Sequence, residues 1–119
     1  MKPKVVIKKI GDVTIFASTR VMDIDYVDEL KQIIPNLLDA GCRNFIFNFE
    51  RTDIFCSTAL GVMVTLKKMA QENGGDTRLC NVNYTLMQIL ENTHLNEMFR
   101  IYDTEKETLE SFLDKKVLS

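Results

Sequence analysis

Apolar residues change their spacing from one segment of the chain to the next, and the first segments predict a hairpin. Residues 5–7 and 13–17 are rich in β-branched side chains, which favour strands. Gly11 and Asp12 lie between them and are typical of a tight turn. The chain is therefore expected to open with two antiparallel strands.

Two longer segments carry apolar residues at helical spacing. The first begins after Asp23 and ends near Gly41, where a glycine can adopt the left-handed cap conformation. The second covers residues 57–73 and ends at a pair of glycines. The spacing in this second helix predicts a core-facing stripe made of Ala59, Val62, Leu66, Met69 and Ala70.

Residues 44–49 lie between these two helices and are largely apolar, which predicts a central parallel strand buried on both faces. The rest of the chain predicts a strand at 78–82, a helix around Thr85, an edge strand at 98–102 and a closing helix at 104–115. In the closing helix, the residues expected to face the core are Leu109, Phe112 and Leu113. The predicted order is β-β-α-β-α-β-α-β-α, an α/β sandwich with a mixed sheet in a single domain, residues 1–119.

Composition narrows the range of functions. The chain has 119 residues, a net charge of −2 and a pI near 5.4, which argues against direct binding of nucleic acid. Its three cysteines are widely spaced and fit neither a disulfide framework nor a paired metal site. No apolar run approaches the length of a membrane span, so we expect a cytoplasmic protein without membrane contact.

The segment that opens the second predicted helix carries the most specific signal. Ser57 and Thr58 place hydroxyl groups at a helix N-terminus, where free N–H groups and the helix dipole favour negative charge. A phosphate added to Ser57 would be tolerated there, so the residue could act as a charge switch. The alternative is that Ser57 or Thr58 serves only as the helix N-cap.

Other chemical candidates are weaker. His94 is the only histidine and lies near the end of the third predicted helix, where its charge suits the dipole without any catalytic role. Cys56 precedes a helix and could be a stabilised thiolate, or simply a small packing residue. The sequence offers no metal-ligand cluster and no phosphate-binding glycine loop, so no metal or cofactor is expected.

Two residues of the second helix fall outside its predicted core stripe. Leu60 and Val64 lie on another face beside Gly61 and could form an apolar docking patch, or could pack beneath the neighbouring helix. Asp23 follows the predicted hairpin at the sheet end that also carries the loop before Ser57. Alternatively, Asp23 only stabilises the first turn of its own helix.

The order of elements and the hexapeptide at residues 56–61 resemble the STAS family, specifically the bacterial anti-sigma factor antagonists. That family carries the signature Asp-Ser-Thr-Gly-Leu-Gly, and this chain reads Cys-Ser-Thr-Ala-Leu-Gly, which agrees at four of six positions. The resemblance covers nearly the whole chain and implies a STAS-like sandwich. Cys56 replaces the family aspartate, which removes a carboxylate beside Ser57, and Ala59 replaces a glycine.

The resemblance implies a partner-switching function without enzymatic activity. The unmodified protein would bind an anti-sigma factor of the serine kinase type and release a sigma factor, and phosphorylation at Ser57 would end that contact. The free protein is expected to be a monomer. The partner-binding residues that the resemblance implies, together with the docking patch, are Asp23, Cys56, Thr58, Ala59, Leu60, Gly61 and Val64.

Two other functions remain open. The first is a STAS scaffold or ligand-sensing module in a signalling assembly, in which Ser57 is never phosphorylated. The substitution at Cys56 favours this alternative. The second is a thiol-based redox protein that uses Cys56.

Overall fold

The predicted hairpin is present in the computed structural model, which describes residues 3–117. Strands β1 (Ile7–Ile10) and β2 (Val13–Phe16) pair antiparallel, and Gly11 between them has a φ of +60°. β1 begins later than the sequence pattern predicted. The ladder nevertheless extends past its start, because the N–H of Ala17 donates to the carbonyl of Val6 at 2.9 Å.

The remaining elements follow the predicted order with two additions. Helix α1 spans Ile24–Asp39 and helix α2 spans Ser57–Glu72, both close to their predicted bounds. Two strands of two residues each, β3 and β5, precede these helices and were not predicted. In chain order the other elements are β3 (Val21–Met22), β4 (Asn44–Asn48), β5 (Ile54–Phe55), β6 (Asp76–Cys80), α3 (Tyr84–Asn92), a 3₁₀ turn (Leu95–Glu97), β7 (Ile101–Tyr102) and α4 (Glu105–Val117).

The main sheet has the order β1-β2-β4-β6-β7, and every pair except the hairpin is parallel. β4 is the central strand, as its apolar composition predicted. The expected edge strand at 98–102 shortens to β7, because the N–H groups of Met98 and Phe99 donate to the carbonyl of Leu95 in the preceding 3₁₀ turn. β3 and β5 pair with each other in a separate parallel sheet.

Alternate residues of β4 enter two different cores. Phe45 and Phe47 join the larger core with residues of α1, α2 and α3, and the ring of Phe47 stacks on Phe16 with centroids 4.5 Å apart. Ile46 points to the opposite face, where it joins the smaller core with Phe112 of α4. Helices therefore cover both faces of the sheet, which explains why the three inner residues of this strand are all apolar. Leu113, predicted to face the core, is exposed because the α4 face that meets the sheet centres on Phe112.

A buried ionic cluster joins α2 to β6. Asp76 accepts hydrogen bonds from the ammonium of Lys67 and from Nε of Arg78, the latter at 3.0 Å. Arg78 also donates to Ser111 Oγ at 2.7 Å, and its guanidinium carbon lies 4.1 Å from the centre of the Phe112 ring. Burial acts to raise the pKa of Asp76, but the hydrogen bonds from Lys67 and Arg78 outweigh it, and the pKa is lowered.

Candidate partner-binding surface

The small sheet of β3 and β5 brings two loops from different parts of the chain side by side. Met22 aligns with Phe55, and the N–H of Cys56 donates to the carbonyl of Met22 at 3.0 Å. One loop leads into α1 and the other leads into α2. The predicted placement of Asp23 and the Ser57 segment at one end of the molecule is therefore correct.

Asp23 is the N-cap of α1. Its Oδ1 accepts the N–H of Tyr26 at 3.0 Å, so it has the helix-stabilising role that the sequence left open. Its side chain is half-buried, so part of it faces solvent beside the second loop. A contact between Asp23 and a partner stays a prediction.

Cys56 is the N-cap of α2, so the alternative in which Ser57 or Thr58 serves only as the cap of this helix is wrong. Cys56 has extended backbone angles, φ −91° and ψ 148°, and its side chain makes no capping hydrogen bond. Ser57 is consequently the first helical residue, and both Ser57 and Thr58 are exposed. Within residues 3–117, the N–H groups of Ser57 and Thr58 have no hydrogen-bond partner. This helix start thus presents an accessible hydroxyl beside free donors.

The face of α2 that packs in the core differs from the predicted one. Ala59 is fully buried and Leu60 is only 8% exposed, and both belong to the larger core. Val64 is half-buried against the same core, while Gly61 is exposed. The predicted apolar patch of Leu60 and Val64 is therefore not displayed on the surface, because these side chains pack inward.

The predicted core stripe of α2 is therefore also partly wrong. Val62 is half-buried and Met69 is 37% exposed, although the spacing placed both in the core. The residues of α2 that are buried are Ala59, Leu60, Met63, Leu66, Lys67 and Ala70. The spacing of apolar residues did not predict the burial of Lys67. A charged side chain is buried only when a partner pairs with it, and here the partner is Asp76 of another element.

Exposed apolar residues do occur near the start of α2, in the paired strands β3 and β5 and at the start of α1. Ile54 of β5 is 57% exposed and aligns with exposed Val21 of β3. Ile24, the first residue of α1, is also exposed. Met22 aligns with Phe55, and Ile24 and Ser57 each follow their residue of this pair by two positions. We call the four residues Val21, Ile24, Ile54 and Ser57 the Ser57 surface. Sequence analysis missed its apolar part because two-residue strands leave no periodic signal.

A groove of about 480 Å³ lies beside this surface, between the loop before β5 and the start of α3. Asn83 caps α3 and also donates from its side-chain amide to the carbonyl of Thr52 at 3.0 Å, which fixes the two segments together. Tyr84, the first residue of α3, is 79% exposed. The accessible apolar surface at this end of the molecule thus extends beyond the Ser57 surface.

The other chemical candidates do not gather at this surface. His94 follows α3 at the end opposite Asn83, where it is exposed with a φ of +60°. Cys80 is fully buried, and burial raises the pKa of its thiol to about 11. In the described part of the chain, no three His, Cys, Asp or Glu side chains are grouped to hold a metal ion. No helix among residues 3–117 has the length and apolar character to cross a membrane.

A family model and individual known proteins both match most or a large part of this chain. The STAS domain model matches residues 4–108. A Thermotoga neapolitana protein, named as a candidate anti-sigma factor antagonist, is 27% identical over 104 residues, which cover 87% of this chain and 92% of that protein. The anti-sigma F factor antagonist of Paenibacillus polymyxa is 26% identical over 68 residues, 57% of this chain and 58% of that protein.

Solved structures share the fold. The crystal structure of a candidate anti-sigma factor antagonist from Thermotoga maritima superposes with a TM-score of 0.83 at 25% identity, covering 90% of this chain and 92% of that one. The phosphorylated form of the Bacillus cell fate determinant SpoIIAA superposes with a TM-score of 0.76 at 18% identity, covering 91% and 98%. At that identity the second likeness concerns the fold alone.

Proposed function

The chain belongs to the STAS domain family, and on that premise we propose that it binds a kinase-type anti-sigma factor through the Ser57 surface. Binding would release the sigma factor that the partner otherwise holds. The observation that carries this proposal is the exposed hydroxyl of Ser57 at the first position of α2, next to the paired strands β3 and β5 and the start of α1, which carry exposed apolar side chains. Protein interfaces combine apolar contacts with polar groups, and this segment supplies both.

Phosphorylation of Ser57 would be the off switch. The partner kinase would transfer the γ-phosphoryl group of ATP to Ser57 Oγ, with loss of the hydroxyl proton and release of ADP. In the free protein, the unpaired N–H groups of Ser57 and Thr58 would accommodate the new charge. In the complex, a group carrying about −1.5 to −2 charge would be placed among apolar contacts, where desolvation is costly. A coupling of about 3 kcal/mol would weaken binding more than about a hundredfold.

Modification is tested by incubating the protein with its cognate kinase-type anti-sigma factor and ATP, followed by intact-mass measurement. We expect wild type to gain the mass of one phosphate and Ser57→Ala to gain none. Thr93→Ala is the control, because it removes an exposed hydroxyl at the C-terminus of α3, outside the Ser57 surface, and should leave phosphorylation intact. An unmodified wild-type mass contradicts the switch.

Docking is tested separately by calorimetry with the same partner. Ile54→Asp places a charge within the Ser57 surface and should weaken binding at least about tenfold. Ile10→Asp is the control, because Ile10 is similarly exposed, at 45%, but lies on the edge strand β1. Equal affinities of the two variants would contradict docking at the Ser57 surface.

A second candidate function is a STAS scaffold that is never phosphorylated. It is favoured by Cys56, which offers no carboxylate beside Ser57 and makes no capping hydrogen bond. This function predicts binding that depends on Ile54, together with an unchanged mass after treatment with kinase and ATP. The two experiments therefore separate the two candidates.

A further inference from the structure

A second groove lies between α1 and α2, outside the Ser57 surface. It has a volume of about 470 Å³, and its apolar lining comes from Ile34, Pro35, Val62, Leu66 and Met69. A volume of this size is typical of sites for small organic ligands. Its apolar lining favours the burial of a hydrocarbon group.

Gly61 lines this groove and contributes no side chain to it. A Cβ atom built at Gly61 would meet no other atom within 4 Å, although the residue lies inside a helix. Met69, one of the lining residues, is 37% exposed. The groove is therefore accessible from solvent and is not filled by the protein's own side chains.

One charged side chain lines the groove. Lys31 of α1 is one of the lining residues, is exposed, and forms no ion pair among residues 3–113, whose side chains the structure describes. Two hydroxyl groups, those of Thr58 and Thr65, also line the groove. The hydroxyl of Thr65 donates to the carbonyl of Gly61 at 3.0 Å, whereas that of Thr58 has no partner within the described residues.

We propose that this groove binds a small amphiphile with an alkyl chain and a carboxylate head, such as a medium-chain fatty acid. The apolar lining would cover the chain, and the ammonium of Lys31 would bind the carboxylate by a charge-assisted hydrogen bond. Charge complementarity selects this occupant, because the lining offers a single cation and no carboxylate. Thr58 adjoins Ser57, so an occupied groove would lie next to the start of α2.

The test uses sodium decanoate as the probe, below its micelle concentration, in calorimetry and in amide chemical-shift titration of the whole chain. We expect saturable binding, with shifts concentrated in α1 and the first half of α2. Decanol has the same chain without the charge and should bind about tenfold more weakly, since one charge-assisted hydrogen bond is lost. Equal affinity for decanol and decanoate would overturn the role of Lys31 and with it the proposal.

Variants locate the site. Lys31→Ala should weaken decanoate binding about tenfold, and Lys68→Ala, which removes an exposed lysine of α2 outside the groove lining, should not. Gly61→Leu should fill the groove and abolish binding. Circular dichroism checks whether this variant folds. If it does not fold, the comparison of Lys31→Ala with Lys68→Ala and the comparison of decanol with decanoate still test the proposal. The absence of saturable binding by wild type, or undiminished binding by folded Gly61→Leu, would refute the groove as a carboxylate site.

Discussion

Asp23 and Cys56 occupy equivalent positions at the starts of two neighbouring helices, but only Asp23 caps its helix with its side chain. Each follows one residue of the aligned pair Met22 and Phe55. The carboxylate of Asp23 accepts a backbone N–H at 3.0 Å, while the thiol of Cys56 accepts none. Two substitutions at these positions are therefore expected to have opposite effects on stability.

Asp23→Ala should lower the free energy of unfolding by about 1 kcal/mol, because the N–H of Tyr26 loses its acceptor. Asp23→Asn keeps an oxygen that can accept this hydrogen bond and should lie much closer to wild type. Urea denaturation followed by circular dichroism measures both. An Asp23→Ala variant as stable as wild type would show that the cap contributes nothing in solution.

Cys56→Asp should raise the free energy of unfolding by up to about 1 kcal/mol, because it supplies α2 with a capping acceptor and a negative charge at its N-terminus. The same substitution restores the carboxylate of the family signature before Ser57. We therefore expect the rate of Ser57 phosphorylation by the cognate kinase to rise as well. Cys56→Ala is the control, because it changes the side chain without adding an acceptor. Equal stability of Cys56→Asp and Cys56→Ala would contradict the capping argument.

Asp76→Asn should lower the free energy of unfolding by about 3 kcal/mol or more, because Lys67 and Arg78 would remain buried without their carboxylate. Asp53→Asn is the matched control. Asp53 forms an exposed ion pair with Arg20 at 3.2 Å, so its loss should cost less than about 1 kcal/mol. Chemical denaturation of both variants provides the comparison, and similar losses would show that burial of the cluster is unimportant.

Stability should fall on acidification below about pH 4.5. Burial acts to raise the pKa of Glu105, but hydrogen bonds from Lys8 and Asn48 outweigh it, and the pKa is lowered, as for Asp76. A carboxyl whose pKa is lower in the folded state contributes stability above its unfolded pKa and loses it as the pH falls through its folded pKa. Denaturation at a series of pH values should therefore show a decline that is shallower in Glu105→Gln. An identical pH dependence would exclude Glu105 as a contributor.

Two glycines should respond in opposite ways to alanine. A Cβ atom at Gly75 would lie 1.8 Å from the carbonyl oxygen of Arg43, so Gly75→Ala should destabilise the fold by about 1 to 3 kcal/mol. Gly61→Ala meets no atom within 4 Å and should stabilise the helix by about 0.5 to 1 kcal/mol. Thermal denaturation of the pair checks both signs. A Gly75→Ala variant as stable as wild type would mean that the backbone at Arg43, just before β4, shifts freely.

Features that depend on local spacing were predictable from the sequence. The hairpin turn at Gly11, the span of α1 and the central position of β4 each follow from a pattern that lies within a single segment. Ser57 at the start of α2 follows from the same kind of signal. The face of α2 was predicted less well, because it packs against both α1 and the sheet, and apolar spacing alone does not rank two neighbouring faces.

The sequence by itself determined the order of elements, the buried central strand and the hydroxyl at a helix start, because propensity and periodicity act between residues that are close along the chain. Only the tertiary structure decided that the segments of Val21 and Ile24 lie beside the segment of Ile54 and Ser57, and that Lys67 is buried with Asp76. The physical reason is that hydrogen bonds between β3 and β5, and ionic contacts between α2 and β6, join segments distant along the chain. Such pairings leave no periodic trace in either partner segment.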